Sequence, residues 1–154
     1  MEINKLNQRP DLGENTRESK AYLQFEKLLS ELSKRNLPDE VLSSINKEIG
    51  EINSISVSGS ILTKEVKKRQ TSILKLVEKE LKLVPKAHYR NMGLAGGMSA
   101  IGLPIGVVFG LTLGNMAFLG LGLPIGLAIG SAVGAGMDKK AFEEGRQLDV
   151  EIKY

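Results

Sequence analysis

Between Arg90 and Asp138 lie 47 consecutive residues without a single charge, and 13 of the 17 glycines of this 154-residue chain fall inside them. A stretch of that length cannot form an ordinary helix exposed to water, and its glycines are too regular for a flexible linker. Gly102-Leu103-Pro104-Ile105-Gly106 recurs twenty residues later as Gly122-Leu123-Pro124-Ile125-Gly126. Each copy continues in steps of four, as Gly102, Gly106, Gly110 and Gly114, then as Gly122, Gly126, Gly130 and Gly134. Residues four apart share one face of a helix. A glycine face lets another helix approach until the backbones nearly touch. In water each such glycine costs about 1 kcal/mol relative to alanine, whereas in a bilayer the unsatisfied backbone leaves helix as the only tenable state.

Length separates one span from two. A membrane helix needs about 20 residues, so 47 predict a pair. Gly114-Asn115 is the best turn signal inside the window and leaves about 22 residues on each side, or roughly 33 Å of helix. A two-helix transmembrane hairpin over 91–137 is therefore expected, held together and to its neighbours by the eight repeat glycines. Pro104 and Pro124 fall inside the spans, where each removes a backbone hydrogen bond; each either kinks its helix or starts one. A glycine hairpin buried inside a soluble oligomer is the competing arrangement.

Charge fixes an expected orientation. Residues 1–59 carry a net −2, residues 60–91 a net +6 and the tail from Asp138 a net −1. Lys79, Lys82, Lys86 and Arg90 precede the hairpin and Lys139 and Lys140 follow it, a placement that suits an anionic membrane surface. The uncharged turn between the spans then faces outward, with both termini in the cytoplasm and the chain in the inner membrane. Nucleic acid is not an expected partner, because no aromatic residue interleaves the basic ones between Ile61 and Ala87.

Upstream, residues 1–16 are mostly polar, with breakers at Pro10 and Gly13, and are expected to be flexible. A helical cytoplasmic region is expected over 17–90. From Arg17, Tyr22, Phe25, Leu28, Leu29 and Leu32 recur at helical spacing. Pro38 suits the first turn of a second helix, with Val41, Leu42, Ile45, Ile49 and Ile52 on one side. A third runs from about Ile61 to Leu83, with Leu62, Val66, Ile73, Val77, Leu81 and Val84 as its stripe, and Pro85 ends or kinks it. These amphipathic helices form a small bundle or pack between subunits. The fold class is thus all-α. Residues 138–154 are expected to be a polar tail, in which Val150, Ile152 and Tyr154 alternate like a short strand.

The hairpin resembles the glycine-zipper hairpins of small bacterial membrane proteins. More loosely, it is similar to the zipper helices of mechanosensitive channels and of glycine-zipper bacteriocins. The resemblance covers Met92 to Met137, about a third of the chain, and implies helix–helix assembly in membranes and, for some of those proteins, pores. It carries over no catalytic residue. No signal segment is expected from Met1–Lys5 and the sequence has no cysteine, which would separate the chain from the outer-membrane lipoproteins that share the zipper.

Three functional expectations follow. The first is a homo-oligomer in the lipid bilayer that forms or gates a pore, with only Ser99, Thr112, Asn115 and Ser131 to lend it side-chain polarity. The second is a membrane-anchored module whose residues 17–83 bind a protein partner. The third is a toxin that inserts into another cell's membrane. An enzyme is not expected: with no cysteine and one histidine, His88, the chain offers no thiolate or histidine cluster for a metal, no phosphate-binding loop and no catalytic residues. No cofactor is expected either.

Overall fold

The structure, a computed structural model, describes residues 2–14 and 16–153. It is all-α apart from one small two-stranded sheet, and it divides into two compact units: Met1–Pro85 with Leu148–Tyr154, and Lys86–Gln147.

The first unit is a three-helix bundle. Helix α1 (Arg17–Ser33) starts where Thr16 turns its hydroxyl oxygen to the Ser19 N–H at 3.1 Å, a side-chain cap for a free helix-end donor. It buries Ala21, Tyr22, Phe25, Leu28, Leu29 and Leu32. Helix α2 (Asp39–Asn53) follows an extended Pro38, carries Asp39 and Glu40 against the positive end of its dipole, and buries the expected five residues. Helix α3 (Ser60–Leu81) buries Leu62, Val66, Ile73, Leu74 and Val77, and also Gln70. It stops earlier than the proline alone requires: Lys82 enters the left-handed region at φ 58°, and Pro85 lies in strand β1 (Val84–Lys86).

Residues 1–16, expected to be flexible, are a correction. Their described part lies along α2, held by two asparagines. The Asn46 side chain accepts the Asn4 N–H at 2.7 Å and donates to the Glu2 carbonyl at 2.9 Å. One repeat on, Asn53 accepts from Asn7 at 2.9 Å and donates to Lys5 at 3.1 Å. The geometry is commensurate: seven helical residues rise about 10.5 Å, and three extended residues span roughly 10 Å. Ile3, Leu6 and Leu12 pack against the core as a result.

The tail is a second correction. Asp138 to Glu143 continue the last helix, and strand β2 (Gln147–Glu151) pairs with β1. Leu148, Val150 and Ile152 are buried in the bundle's core. Val150 lies in β2 and Ile152 follows one residue beyond its end, both buried in the same core; Tyr154 lies outside the described residues.

The second unit is a helical hairpin. Helix α4 (His88–Gly97), a π-helical turn (Met98–Gly102) and helix α5 (Leu103–Thr112) form one continuous rod. The chain reverses at Gly114 and Asn115, where Gly114 takes φ 67° and the Asn115 side chain accepts the Ala117 N–H at 2.9 Å. A 3-10 turn (Met116–Phe118) then leads into α6 (Leu119–Glu143), which runs back along the first rod with Pro124 inside it.

Candidate functional site

The two rods of the hairpin meet along glycine. A β-carbon added at Gly122 would sit 2.6 Å from Cα of Gly106, and one at Gly126 would sit 2.6 Å from Cα of Gly102. At Gly130 the distance to Cα of Gly97 would be 2.9 Å, and at Gly134 the distance to Cα of Arg90 would be 2.6 Å. Real β-carbons keep more than 3.0 Å from such atoms, and backbone cannot swing aside. Any larger residue along this line therefore separates the helices.

The seam draws on a different first series than the repeat suggests. It uses Gly93, Gly97, Gly102, Gly106 and Gly110, with steps of four, five, four and four. The step of five is the π-helical turn, in which the Leu103 N–H reaches back five residues to Met98. Such a turn inserts one residue into a helix. Without it, the face begun by Gly93 and Gly97 would continue through Ile101 and Ile105, and two branched side chains would hold the rods apart. Pro104 stands just beyond. It has no N–H to give, and its ring would press on the carbonyl four residues back in a regular helix. The wide turn accommodates the proline and re-phases the glycines in one stroke. Pro104 therefore falls in the first turn of α5, whereas Pro124 lies inside α6.

Of the eight repeat glycines, seven line the seam within one chain: Gly102, Gly106, Gly110, Gly122, Gly126, Gly130 and Gly134, all buried. Gly114 is exposed, with open space around it, and serves the turn. Gly93 and Gly97 fall outside the repeat's spacing, because the extra residue breaks the four-residue count between them and Gly102.

The large apolar side chains point the other way. Val108 is 60% exposed, Leu111 70% and Val133 61%, and Leu103, Leu121, Ile125 and Ile129 are exposed as well. The bundle reverses this order, with Phe25, Leu28 and Ile45 at 0%. Two helices, His88–Thr112 and Met116–Glu143, are long and apolar enough to cross a membrane.

At the end of the hairpin away from the turn sits Asp138, 9% exposed. Ala87, before α4, is left-handed at φ 57° and offers no side-chain cap. Asp138 supplies one from α6, with its two carboxylate oxygens accepting the Tyr89 and Arg90 N–H groups at 3.0 Å each. Charge-assisted bonds of this kind are the stronger ones. The Gln147 side chain donates to the Asp138 carbonyl at 3.3 Å. A signal for this residue exists in the sequence: it is the fifth member of the series 122, 126, 130, 134, 138.

The expected membrane-surface cations divide between the units. Arg90 and the exposed Lys139 and Lys140 stand at the same end of the hairpin as Asp138, with Lys86 leading into it. Lys139 pairs with Glu143 at 3.8 Å and Lys140 with Glu144 at 3.9 Å. Arg146 also bonds Glu144, which holds its guanidinium above the usual arginine range, with a smaller contribution from Tyr89. Lys79, paired with Glu80 at 3.3 Å, and Lys82 belong to the bundle. Polar groups within the spans are few, and the Ser99 hydroxyl is spent on the Ala95 carbonyl at 3.0 Å. Among the described residues no group of three or more His, Cys, Asp or Glu could hold a metal ion. No family model matches the chain, and the searches of curated proteins and of solved structures gave no match.

Proposed function

We propose that the chain is a small integral membrane protein in which a pre-packed hairpin anchors a folded helical module to the bilayer. The observation that carries this reading is the inverted burial of the second unit, with glycine inside and leucine, valine and isoleucine outside. In water that arrangement wastes about 25 cal/mol for each Å² of apolar surface left exposed; in lipid it has no such penalty. Leu119 to Met137 would span about 28 Å and Asn91 to Leu113 about 34 Å, against a hydrocarbon core of about 30 Å. The pairing of β1 with β2 ties both ends of the hairpin together, which favours an even number of crossings. The cations at that end favour the cytoplasmic face of an inner membrane.

The test is extraction. Wild-type protein should stay with membranes through an alkaline wash and come off only in detergent. Replacing the outward Val108, Leu111, Ile129 and Val133 by serine should release it. A wild type recovered in the soluble fraction would end this reading.

A second reading, an oligomer that forms or gates a pore, is favoured by one further observation. The seam is satisfied within a single chain, but α6 carries another small-residue row, Gly120, Pro124, Ala128, Ala132 and Gly136, all exposed. A β-carbon added at Gly120 or Gly136 meets nothing within 4 Å. This row could seat a neighbouring hairpin at close range, and the resulting conduit would be largely apolar and gate by dewetting. In detergent the particle mass should then exceed one chain and fall to one chain in Gly120→Leu with Gly136→Leu. Liposomes carrying wild type should leak a small dye. A monomeric particle and tight liposomes would leave the anchor alone standing.

A further inference from the structure

The bundle gathers positive charge on one side. Arg17, Lys20 and Lys27 of α1, Lys67 of α3 and Lys153 of the tail line a single groove of about 930 Å³. Asp149 and Glu151 are its only carboxylates, so the groove carries a net +3. None of the five cations has an ion-pair partner among the described residues, whereas Lys68 and Arg69 on the same bundle do. Lys68 pairs with Glu65 at 3.8 Å, and Arg69 meets Glu48 at 3.0 Å, Glu65 at 3.5 Å and Glu51 at 3.6 Å.

The groove is also braced by one of its own lining residues, Gln24. The Gln24 side chain accepts the Lys153 N–H at 2.9 Å and donates to the Lys153 carbonyl at 3.3 Å. It also donates to Gln70, which is 2% exposed, at 3.2 Å. This chain of amides fixes the backbone of the tail against α1 and carries Lys153 to the groove. Four of the five cations are lysines, compact point charges suited to phosphate oxygens. The volume falls in the range of small-ligand sites. Leu23, 54% exposed, lies at its edge and could meet an apolar portion of the same ligand.

We propose that this groove binds the phosphate group of a small anionic ligand, carried either by a phospholipid headgroup or by a soluble phosphorylated compound. The inference rests on the bundle alone and holds whether or not the hairpin inserts.

It is tested with the full chain in neutral detergent at about 0.15 M salt, where surface charges act over only about 8 Å. Three probes are titrated calorimetrically: inorganic pyrophosphate, a short-chain phosphatidylglycerol, and the matching phosphatidylcholine. Binding of phosphatidylglycerol but not pyrophosphate identifies a lipid source, and binding of pyrophosphate identifies a soluble one. In either case Lys20→Gln with Lys67→Gln should weaken binding by roughly tenfold or more. Lys47→Gln with Lys75→Gln makes the same charge change outside the groove and should alter affinity by less than about twofold. The proposal is overturned if neither anion binds, if phosphatidylcholine binds equally well, or if both double variants weaken binding alike.

Discussion

The carboxylate of Asp138 and the backbone of Arg90 are bonded at 3.0 Å across two helices, and Tyr89 is held the same way one residue earlier. A helix normally finds its cap in the preceding residue. Here Ala87 cannot provide one, and the opposite rod does. Asp138→Ala leaves two part-buried N–H groups without that acceptor and should destabilise the hairpin by about 1–2 kcal/mol. Thermal unfolding in detergent would register it, with the exposed Lys139→Ala near wild type.

Glycines inside and outside the seam should behave oppositely. Gly126→Leu drives a side chain into the backbone at Gly102 and should part the rods. Gly136→Leu projects into open space. Spin labels at the outward Val107 and Leu121 would report the separation, which should widen in the first variant and remain unchanged in the second.

The same logic applies to the π-helical turn. Deleting Ser99 removes one residue between Gly97 and Gly102, so their step becomes four and a regular helix keeps the glycines in phase. Pro104 then lacks its wide turn. The labels should report a seam that stays closed, and any loss of stability should be relieved by Pro104→Ala. A seam that opens on the deletion would refute the re-phasing account.

Acid should loosen the N-terminal segment before it unfolds the bundle. The Ser58 hydroxyl bonds the Asp11 carboxylate and holds its pKa below the usual aspartate value, with Arg9 contributing less. A carboxylate depressed in the folded state stabilises it above the unfolded pKa and loses that contribution as pH falls through the folded one. The protection of the Asn4 and Asn7 amides, taken against an unstructured chain at the same pH, should therefore fall below about pH 4. Asp11→Asn should show the lowered protection already at neutral pH.

Ile152→Ala, just past the last strand, should cost about 2–4 kcal/mol, because Ile152 is a core residue of the bundle, 4% exposed. Chemical denaturation followed through Tyr22 fluorescence would measure it. A change below about 0.5 kcal/mol would mean that the tail merely lies on the surface.

Much of this was legible from local chemistry. The start of α1, Pro38 before α2 and the reversal at Gly114-Asn115 each follow from residues adjacent in sequence. What escaped depends on distant partners. Asn46 and Asn53 grip residues 2–7 across more than 40 positions, and nothing periodic in that segment announces it. Leu148, Val150 and Ile152 are too few to declare a strand before β1 is known to face it. The glycine spacing identified a helix face but not its partner, and the fivefold step at the π-helical turn hid Gly93 and Gly97.

The pairing of β1 with β2 has a consequence for the order of synthesis. The bundle's core is written in two instalments, separated by the 62 residues from Lys86 to Gln147. At about 5–20 residues per second, the ribosome spends several seconds on the hairpin while the bundle waits without Leu148, Val150 and Ile152. During that interval the groove later filled by these side chains stays open to water. It closes only when the second rod has come back to the side from which the first departed. Completion of the bundle thereby records that the hairpin has made its full excursion and returned.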